Sequence, residues 1–288
     1  MKQPVEQTTI VIYHANCYDG FGAAYVAWTM LGATARYIKA NYGDSPPEFD
    51  DRIKAIYVLD FSYPRAILEA LHARLEAAPG GVLRVLDHHK TAQDNLEGLP
   101  YCTFDMTKSG AMLAWEHFYP RRSAPDLILY VQDRDLWTLT LPQSREVSAA
   151  LRSYPFDFYV WNGLVSSGVG KLKQEGGAIL RYQDMMVNIM CDQAIIGDVG
   201  GHKVHIVNAS VFFSEVGEEL CIRYPDEPFS AYYFDRADGK RQWGLRSRGG
   251  FDCSAVAKLY GGGGHPGAAG FTTPKSDLSC QAVRRETT

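Results

Sequence analysis

Three short apolar runs in this 288-residue chain stop at residues able to bind a metal ion. "TTIVIYH" (8–14) ends at His14, with Asp19 just beyond it, and "AIYVLDFS" (55–62) carries Asp60 near its end. "GGVLRVLDHHK" (80–90) closes on Asp87, His88 and His89. A fourth candidate, Asp133, stands near the end of "APDLILYVQDRDLW" (124–137). Imidazoles with a carboxylate majority suit a hard or borderline divalent ion, Mn²⁺ or Mg²⁺ before a softer one. His14, Asp19, Asp60, His88 and Asp133 are more ligands than one ion with open positions requires. Two ions about 3.5–4 Å apart that share a carboxylate use them better, and such a pair activates water for in-line displacement at phosphorus.

Residues so far apart in the chain act together only if their elements converge. The segments 8–14, 55–62 and 80–90 are β-branched and apolar and read as buried strands. The segments 19–31, 63–78, 109–119 and 124–137 have helical spacing, with Pro64 placed where a first turn tolerates it. Strands alternating with helices indicate an α/β fold with a mostly parallel sheet flanked by helices. Ligands of such sheets bind beyond the carboxyl ends of the strands, where three of the four candidate groups fall. Past a helical connection the pattern changes to a strand (202–210), a helix (213–224), a hairpin turning at Asp238-Gly239, a helix (252–260) and a closing strand (268–273). This predicts a smaller α/β domain with a mixed sheet. The expected division is 1–160, a helical linker over 161–195, and 196–288.

The second part has a constellation of its own. Gly261 to Gly264 are followed by His265, and backbone N–H groups bared by glycines suit anionic oxygens. Arg246, Ser247 and Arg248 lie on the neighbouring hairpin, and an arginine fork matches phosphate oxygens. Ser109, opening a helix beside Lys108, could receive phosphate at a helix N-terminus. Gly262, Gly263, Gly264, His265, Arg246, Ser247 and Ser109 are therefore the expected substrate contacts.

The formal net charge of −4 argues against life on long duplex DNA, which favours a basic surplus. The six cysteines (Cys17, Cys102, Cys191, Cys221, Cys253, Cys280) show no close pairing, so neither a disulfide framework nor a zinc ribbon is expected. The N-terminus lacks the pattern of a signal peptide, and no run approaches the roughly 20 apolar residues of a membrane span. The reading is cytoplasmic, with no membrane partner.

"LDHHK" is the motif for which the DHH phosphoesterase superfamily is named, and the chain resembles that family over nearly its whole length. "YHANCYDGFGAA" (13–24) is similar to the family's first motif, "VLDFS" (58–62) to its second and "YVQDRDLW" (130–137) to its fourth. "YGGGGHPGAAGF" (260–271) resembles the glycine-rich motif of the DHH-associated C-terminal domain. The resemblance implies that His14 and Asp60 hold one metal and that Asp60 bridges to a second held by Asp19, His88 and Asp133. It implies that His89 faces the scissile phosphate, with Asp87 behind as a carboxylate that orients an imidazole. One feature departs from the family. Many members carry a further aspartate in the first motif, two residues before the later one or nearby, where this chain has Asn16, Cys17 and Tyr18. Asn16 is the substitute ligand to expect, through its amide oxygen, while Cys17 reads as a small buried thiol.

The expectation is a phosphoric ester hydrolase with two Mn²⁺ per chain, Mg²⁺ or another divalent ion being the alternative. It would cut short oligonucleotides or linear dinucleotides to mononucleotides by two-metal attack of hydroxide on phosphorus. His89, His265 and Arg246 would stabilise phosphoryl charge. Its partner is then a short single-stranded nucleic acid or dinucleotide, and a homodimer is compatible with the sequence. The alternatives are a phosphatase or pyrophosphatase acting on a nucleotide 3′,5′-bisphosphate, a cyclic dinucleotide or pyrophosphate, and a non-catalytic nucleotide-binding module.

Overall fold

The protein is described by a computed structural model covering residues 6–77 and 79–275, so Cys280 and the end of the expected C-terminal domain lie outside the described residues. The chain divides into two compact units, Met1–Leu180 and Arg181–Thr288.

The first unit is built on a five-stranded parallel sheet in the order β2-β1-β3-β4-β5. The strands are β1 (Thr9–His14), β2 (Ala35–Ala40), β3 (Ala55–Leu59), β4 (Val82–Asp87) and β5 (Cys102–Phe104). Between and after them run α1 (Tyr18–Leu31), α2 (Arg65–Glu76), α3 (Lys90–Leu96), α4 (Gly110–Phe118), α5 (Asp126–Asp135), α6 (Ser144–Leu151) and α7 (Phe158–Ser167). Alternation along the strands sends side chains to two cores. Ile10, Ile12, Ile56 and Val58 meet Leu68, Leu71 and Leu75 of α2 on one face. Val11, Leu59 and Leu86 meet α1, α4, α5 and Trp161 of α7 on the other. Burial on both faces is why the central strands read as continuous apolar runs.

β2 and β5 were not among the expected strands. β2 carries charged, exposed Arg36 and Lys39 among its apolar residues, and β5 is three residues long, both signs of a sheet edge. β2 and β3 lie on opposite sides of β1, so the strand order reverses between β1 and β3. That reversal opens a crevice at the carboxyl ends of the two strands, next to His14 and Asp60. Of the expected linker, Trp161, Leu164 and Leu172 are buried in the first unit's core. The rest is mostly α8 (Gly170–Cys191), a 22-residue helix that contains the division between the units.

The second unit carries a six-stranded sheet in the order β10-β11-β9-β8-β7-β6. Its elements are β6 (Ile195–Val199), β7 (His202–Asn208), α9 (Phe213–Arg223), β8 (Ser230–Asp235), β9 (Lys240–Arg246), α10 (Cys253–Leu259), β10 (Gly263–His265) and β11 (Ala268–Pro274). β7 and β8 run parallel and the other neighbours antiparallel, giving the mixed sheet that was expected. The β8–β9 hairpin turns at Gly239 with φ 78, where Asp238 Oδ1 accepts from the Lys240 amide at 3.2 Å. No helix among the described residues is long and apolar enough to cross a membrane.

Candidate metal centre

Asp60 occupies the middle of the centre. Its amide still donates to Leu86 O (2.9 Å), as if β3 continued, but its φ of 62 is left-handed. An aspartate adopts that conformation more readily than most residues, and such outliers concentrate at functional sites. The Asp60 side chain is 1% exposed, yet neither oxygen accepts a hydrogen bond of good geometry among the described residues. A buried carboxylate in that condition is costly unless a cation meets it.

Donors approach Asp60 from two sides. On one, His14 Nδ1 is 3.5 Å from Oδ2, and the Cys17 sulfur joins the pair, one ligand atom of each lying within 4.8 Å of the others. On the other, His88 Nε2 is 3.2 Å from Asp60 Oδ1, 3.6 Å from Asp19 Oδ2 and 3.5 Å from Asp135 Oδ2. His14, Cys17 and Asp60 form one group that could hold a metal ion, and Asp19, His88 and Asp135 form a second. The donor set and the orphaned Asp60 oxygens fit divalent metal.

Two glycines permit this crowding. A Cβ on Gly20 in α1 would sit 2.4 Å from His14 O and 3.1 Å from Asp60 Oδ2. One on Gly110 in α4 would sit 2.5 Å from the Asp60 Cβ.

Asp133 does not take the place expected of it. Its Oδ1 accepts from Thr138 Oγ1 (2.7 Å), the Thr140 amide (2.9 Å) and Thr140 Oγ1 (3.1 Å), and its Oδ2 from the Leu141 amide (3.1 Å). It ties down the chain leaving α5, and Asp135 supplies the carboxylate beside His88. Residues 133 and 135 point to different sides of a helix, so the two acids could not share one task. The threonines five and seven residues after Asp133 were the readable signal of its structural duty.

Ser109 is placed as a helix cap. Its side chain is fully buried, and its hydroxyl accepts from the Met112 amide (3.3 Å) as the N-cap of α4. The next α4 amides, Gly110 and Ala111, donate to the two Asp19 oxygens, the latter at 2.9 Å. The helix end that was expected to bind phosphate thus holds a carboxylate of the centre. Asn16 is exposed with φ 55, a turn position that asparagine tolerates, and from this turn it is Cys17 that joins His14 and Asp60.

The histidine pair divides its contacts. Asp87, with no exposure, accepts from the His88 amide (2.7 Å), from Ser62 Oγ (2.6 Å) and at His89 Nδ1 (2.7 Å). It therefore orients the second imidazole of the pair, not the first. Tyr42, which the sequence did not single out, stands 54% exposed with its ring centre 5.6 Å from His14 and 6.0 Å from His89.

Electrostatics follow from this packing. Burial pushes the Asp19 carboxyl well up, and the charges of Asp60 and Asp135 add to it. Burial acts the same way on Asp60, but the imidazoles of His14 and His88 outweigh it and hold that carboxyl below its usual range. Burial disfavours charge on His88, yet Asp60, Asp135 and Asp19 around it raise its pKa to about 10. His89 is raised too, its burial being offset by Asp87. Burial and then the charges of Asp60, Asp135 and Asp19 push the Cys17 thiol well up. In every case the acids demand positive charge, which protonated imidazole supplies when no metal does.

In the second unit the expected contacts gather in one corner. Arg246 ends β9 opposite Ala268, and the Ser247 amide donates to Gly267 O (3.1 Å). The Ser247 hydroxyl donates to Phe251 O (2.6 Å) and lies 3.1 Å from Pro266 O, so its work is holding that turn. The glycine run is not an open loop: Gly263–His265 pairs with β11. A Cβ at Gly262 would lie 2.1 Å from Gly270 O, so close backbone approach already requires a glycine there.

Comparison with known proteins gives the chain its relatives. The DHHA1 domain matches residues 216–284. The curated "Uncharacterized protein R106" of Acanthamoeba polyphaga mimivirus is 31% identical over 291 residues, covering 92% of this chain and 68% of its own. Among solved structures, the pGpG-specific phosphodiesterase PggH of Vibrio cholerae is 12% identical with a TM-score of 0.48, over 94% of this chain and 95% of that one. RecJ of Thermus thermophilus, in complex with Mn²⁺, is 14% identical with a TM-score of 0.49, over 93% of this chain and 50% of that one. With the motifs in order, a DHHA1 match at the C-terminal end and a relative aligned along nearly the whole chain, this protein belongs to the DHH phosphoesterase superfamily.

Proposed function

We propose that the protein is a metal-dependent phosphodiesterase that hydrolyses short oligonucleotides or linear dinucleotides to mononucleotides. The observation that carries this reading is Asp60, whose buried oxygens stand between two groups of donors. Asp60 would bridge two divalent ions, with His14 on one and Asp19, His88 and Asp135 on the other. Mn²⁺ suits the carboxylate-rich second position. When bound, such ions lower the pKa of water and neutralise phosphoryl charge.

The chain's own part is to bind and orient. Asp87 fixes His89 through Nδ1 and raises its pKa, so that the ring, once protonated, presents Nε2–H as a donor to a phosphoryl oxygen. Arg246 and His265 of the second unit are assigned to substrate phosphate. The exposed Tyr42 ring beside His14 and His89 offers a face for a nucleobase, which favours a nucleotide over pyrophosphate.

The test is a panel of a 5′-phosphorylated dinucleotide, a nucleotide 3′,5′-bisphosphate and pyrophosphate, each with Mn²⁺. The dinucleotide should be the preferred substrate. Stacking is worth about 1–3 kcal/mol per base, so Tyr42→Ala should raise KM for the dinucleotide by about tenfold and leave hydrolysis of pyrophosphate, if any, unchanged. Preference for pyrophosphate in the wild-type protein would overturn the substrate assignment.

A further inference from the structure

We infer that Cys17 is a sulfur ligand of the metal position formed with His14 and Asp60, and that this position takes a softer ion, Zn²⁺ or Co²⁺, in preference to Mg²⁺. The inference rests on the reading of the centre as a metal site and changes its chemistry. Three observations support it. The Cys17 sulfur, a His14 ring nitrogen and an Asp60 oxygen offer ligand atoms within 4.8 Å of one another. Asp60, 1% exposed, aims oxygens into that space that accept no hydrogen bond of good geometry. The third is local backbone. Asn16 takes the left-handed turn at φ 55, and Cys17 then returns to an extended conformation (φ −118, ψ 136) as the N-cap of α1, two residues ahead of Asp19.

Three of the other four described thiols differ. Cys191, Cys221 and Cys253 point their sulfurs at main-chain oxygens (Val216 O at 3.8 Å, Arg246 O at 3.2 Å and Leu245 O at 3.8 Å), the company of structural cysteines. Cys17 instead shares its neighbourhood with an imidazole and a carboxylate, a mixed sulfur, nitrogen and oxygen donor set that suits Zn²⁺ and its analogues. As the metal–sulfur bond forms, the thiol proton leaves to solvent. The position holding Asp19, His88 and Asp135 has no sulfur and keeps its preference for harder ions, so the two positions should differ in selectivity.

Co²⁺ titrated into metal-free protein tests this without reference to turnover. The expected result is a sulfur-to-cobalt charge-transfer absorption in the near ultraviolet. It should be absent from Cys17→Ser and Cys17→Asp but retained in Cys102→Ser. Both Cys17 variants should still bind Co²⁺ by calorimetry. Cys17→Ser should lose Zn²⁺ affinity at one position by at least the roughly tenfold that loss of even a supporting partner costs. Cys17→Asp should shift that position toward Mn²⁺, and circular dichroism would show both variants folded. Wild-type protein that binds Co²⁺ without the absorption, or a Cys17→Ser variant that keeps it, overturns the sulfur ligand and leaves the metal-dependent reading standing. Protein that binds neither Co²⁺ nor Mn²⁺ overturns both.

Discussion

Asp133 and Asp135 are two residues apart and carry the same functional group, yet their surroundings assign them different work. Asp133 is 5% exposed and receives hydrogen bonds from Thr138, Thr140 and Leu141. Burial would raise its pKa, but Ser144, Thr138 and the Thr140 and Leu141 amides hold it at about 2, against 3.8 for a free aspartate. A depressed carboxyl stabilises the fold above its unfolded pKa and loses that contribution as pH falls toward its folded value, here between about pH 4 and pH 2. Asp133→Asn should therefore cost about 2 kcal/mol at pH 7 in chemical denaturation, with the gap to wild type closing near pH 2. Asp135→Asn should do the reverse, abolishing Mn²⁺-dependent hydrolysis while the denaturation midpoint at pH 7 stays in place or rises, because a like charge beside Asp60 and Asp19 is removed. His88 gives a second expectation. With its pKa at about 10 it is protonated at pH 7 in the metal-free protein, and it must be neutral to serve as a ligand. Metal binding at pH 7 should release about one proton from it. Calorimetry in buffers of different ionisation enthalpy measures this, and release in His88→Ala should be lower by that proton. The sequence showed every acid and imidazole of the centre but could not divide 133 from 135, because that depends on where the chain turns after α5.

The elements matter through where they end. His14 and Asp60 close the two strands on either side of the reversal in strand order, and α1 and α4 deliver their first turns to the same crevice. Strand runs with both faces buried were legible in the sequence, as were the helices over Leu68 to Leu75 and over the Ala111 stretch. The edge strands β2 and β5 were not, since half-exposed or three-residue strands carry little periodic signal. The close approach of α4 to Asp60 was also invisible, because a glycine's reason lies in a partner distant in sequence. It yields a sharp contrast. Gly110→Ala would place a methyl 2.5 Å from the Asp60 Cβ, so the variant should lose metal affinity and melt several degrees lower. Gly163→Ala, exposed within α7 and with nothing within 4 Å of the added methyl, should instead gain about 0.5–1 kcal/mol in helix stability. Thermal melts and Mn²⁺ titration of the pair separate crowding at the centre from helix propensity.

At the scale of the whole molecule, net charge bears on the proposed short substrate. The chain carries 33 acidic against 29 basic residues, so it lacks the surplus that would follow a long phosphate backbone. The groups proposed to meet phosphate are instead few: His89 in the first unit, Arg246 at the end of β9 and His265 in the second. Both the α/β character and the change of sheet type between the units were readable from the order of apolar runs and turns. The extent of the first unit was less so, because Trp161 and Leu172 look like linker residues until α7 and α8 are seen to fill the core. If binding is confined to a few local cations, its salt dependence must be shallow. Single-stranded substrates lose affinity with a log–log slope of about −0.7 per neutralised phosphate. A 5′-phosphorylated dinucleotide contacted at both phosphates should therefore give a slope of about −1.4. On the proposed reading, lengthening the substrate to ten or more nucleotides should leave the slope nearly unchanged, because the added phosphates lie beyond those contacts. A catalytically inactive Asp135→Asn variant, titrated with fluorescent dinucleotide and decanucleotide across a range of NaCl concentrations, measures both slopes. A slope that steepens in proportion to length would show an extended basic track and with it a long-strand nuclease, contrary to the short-substrate assignment.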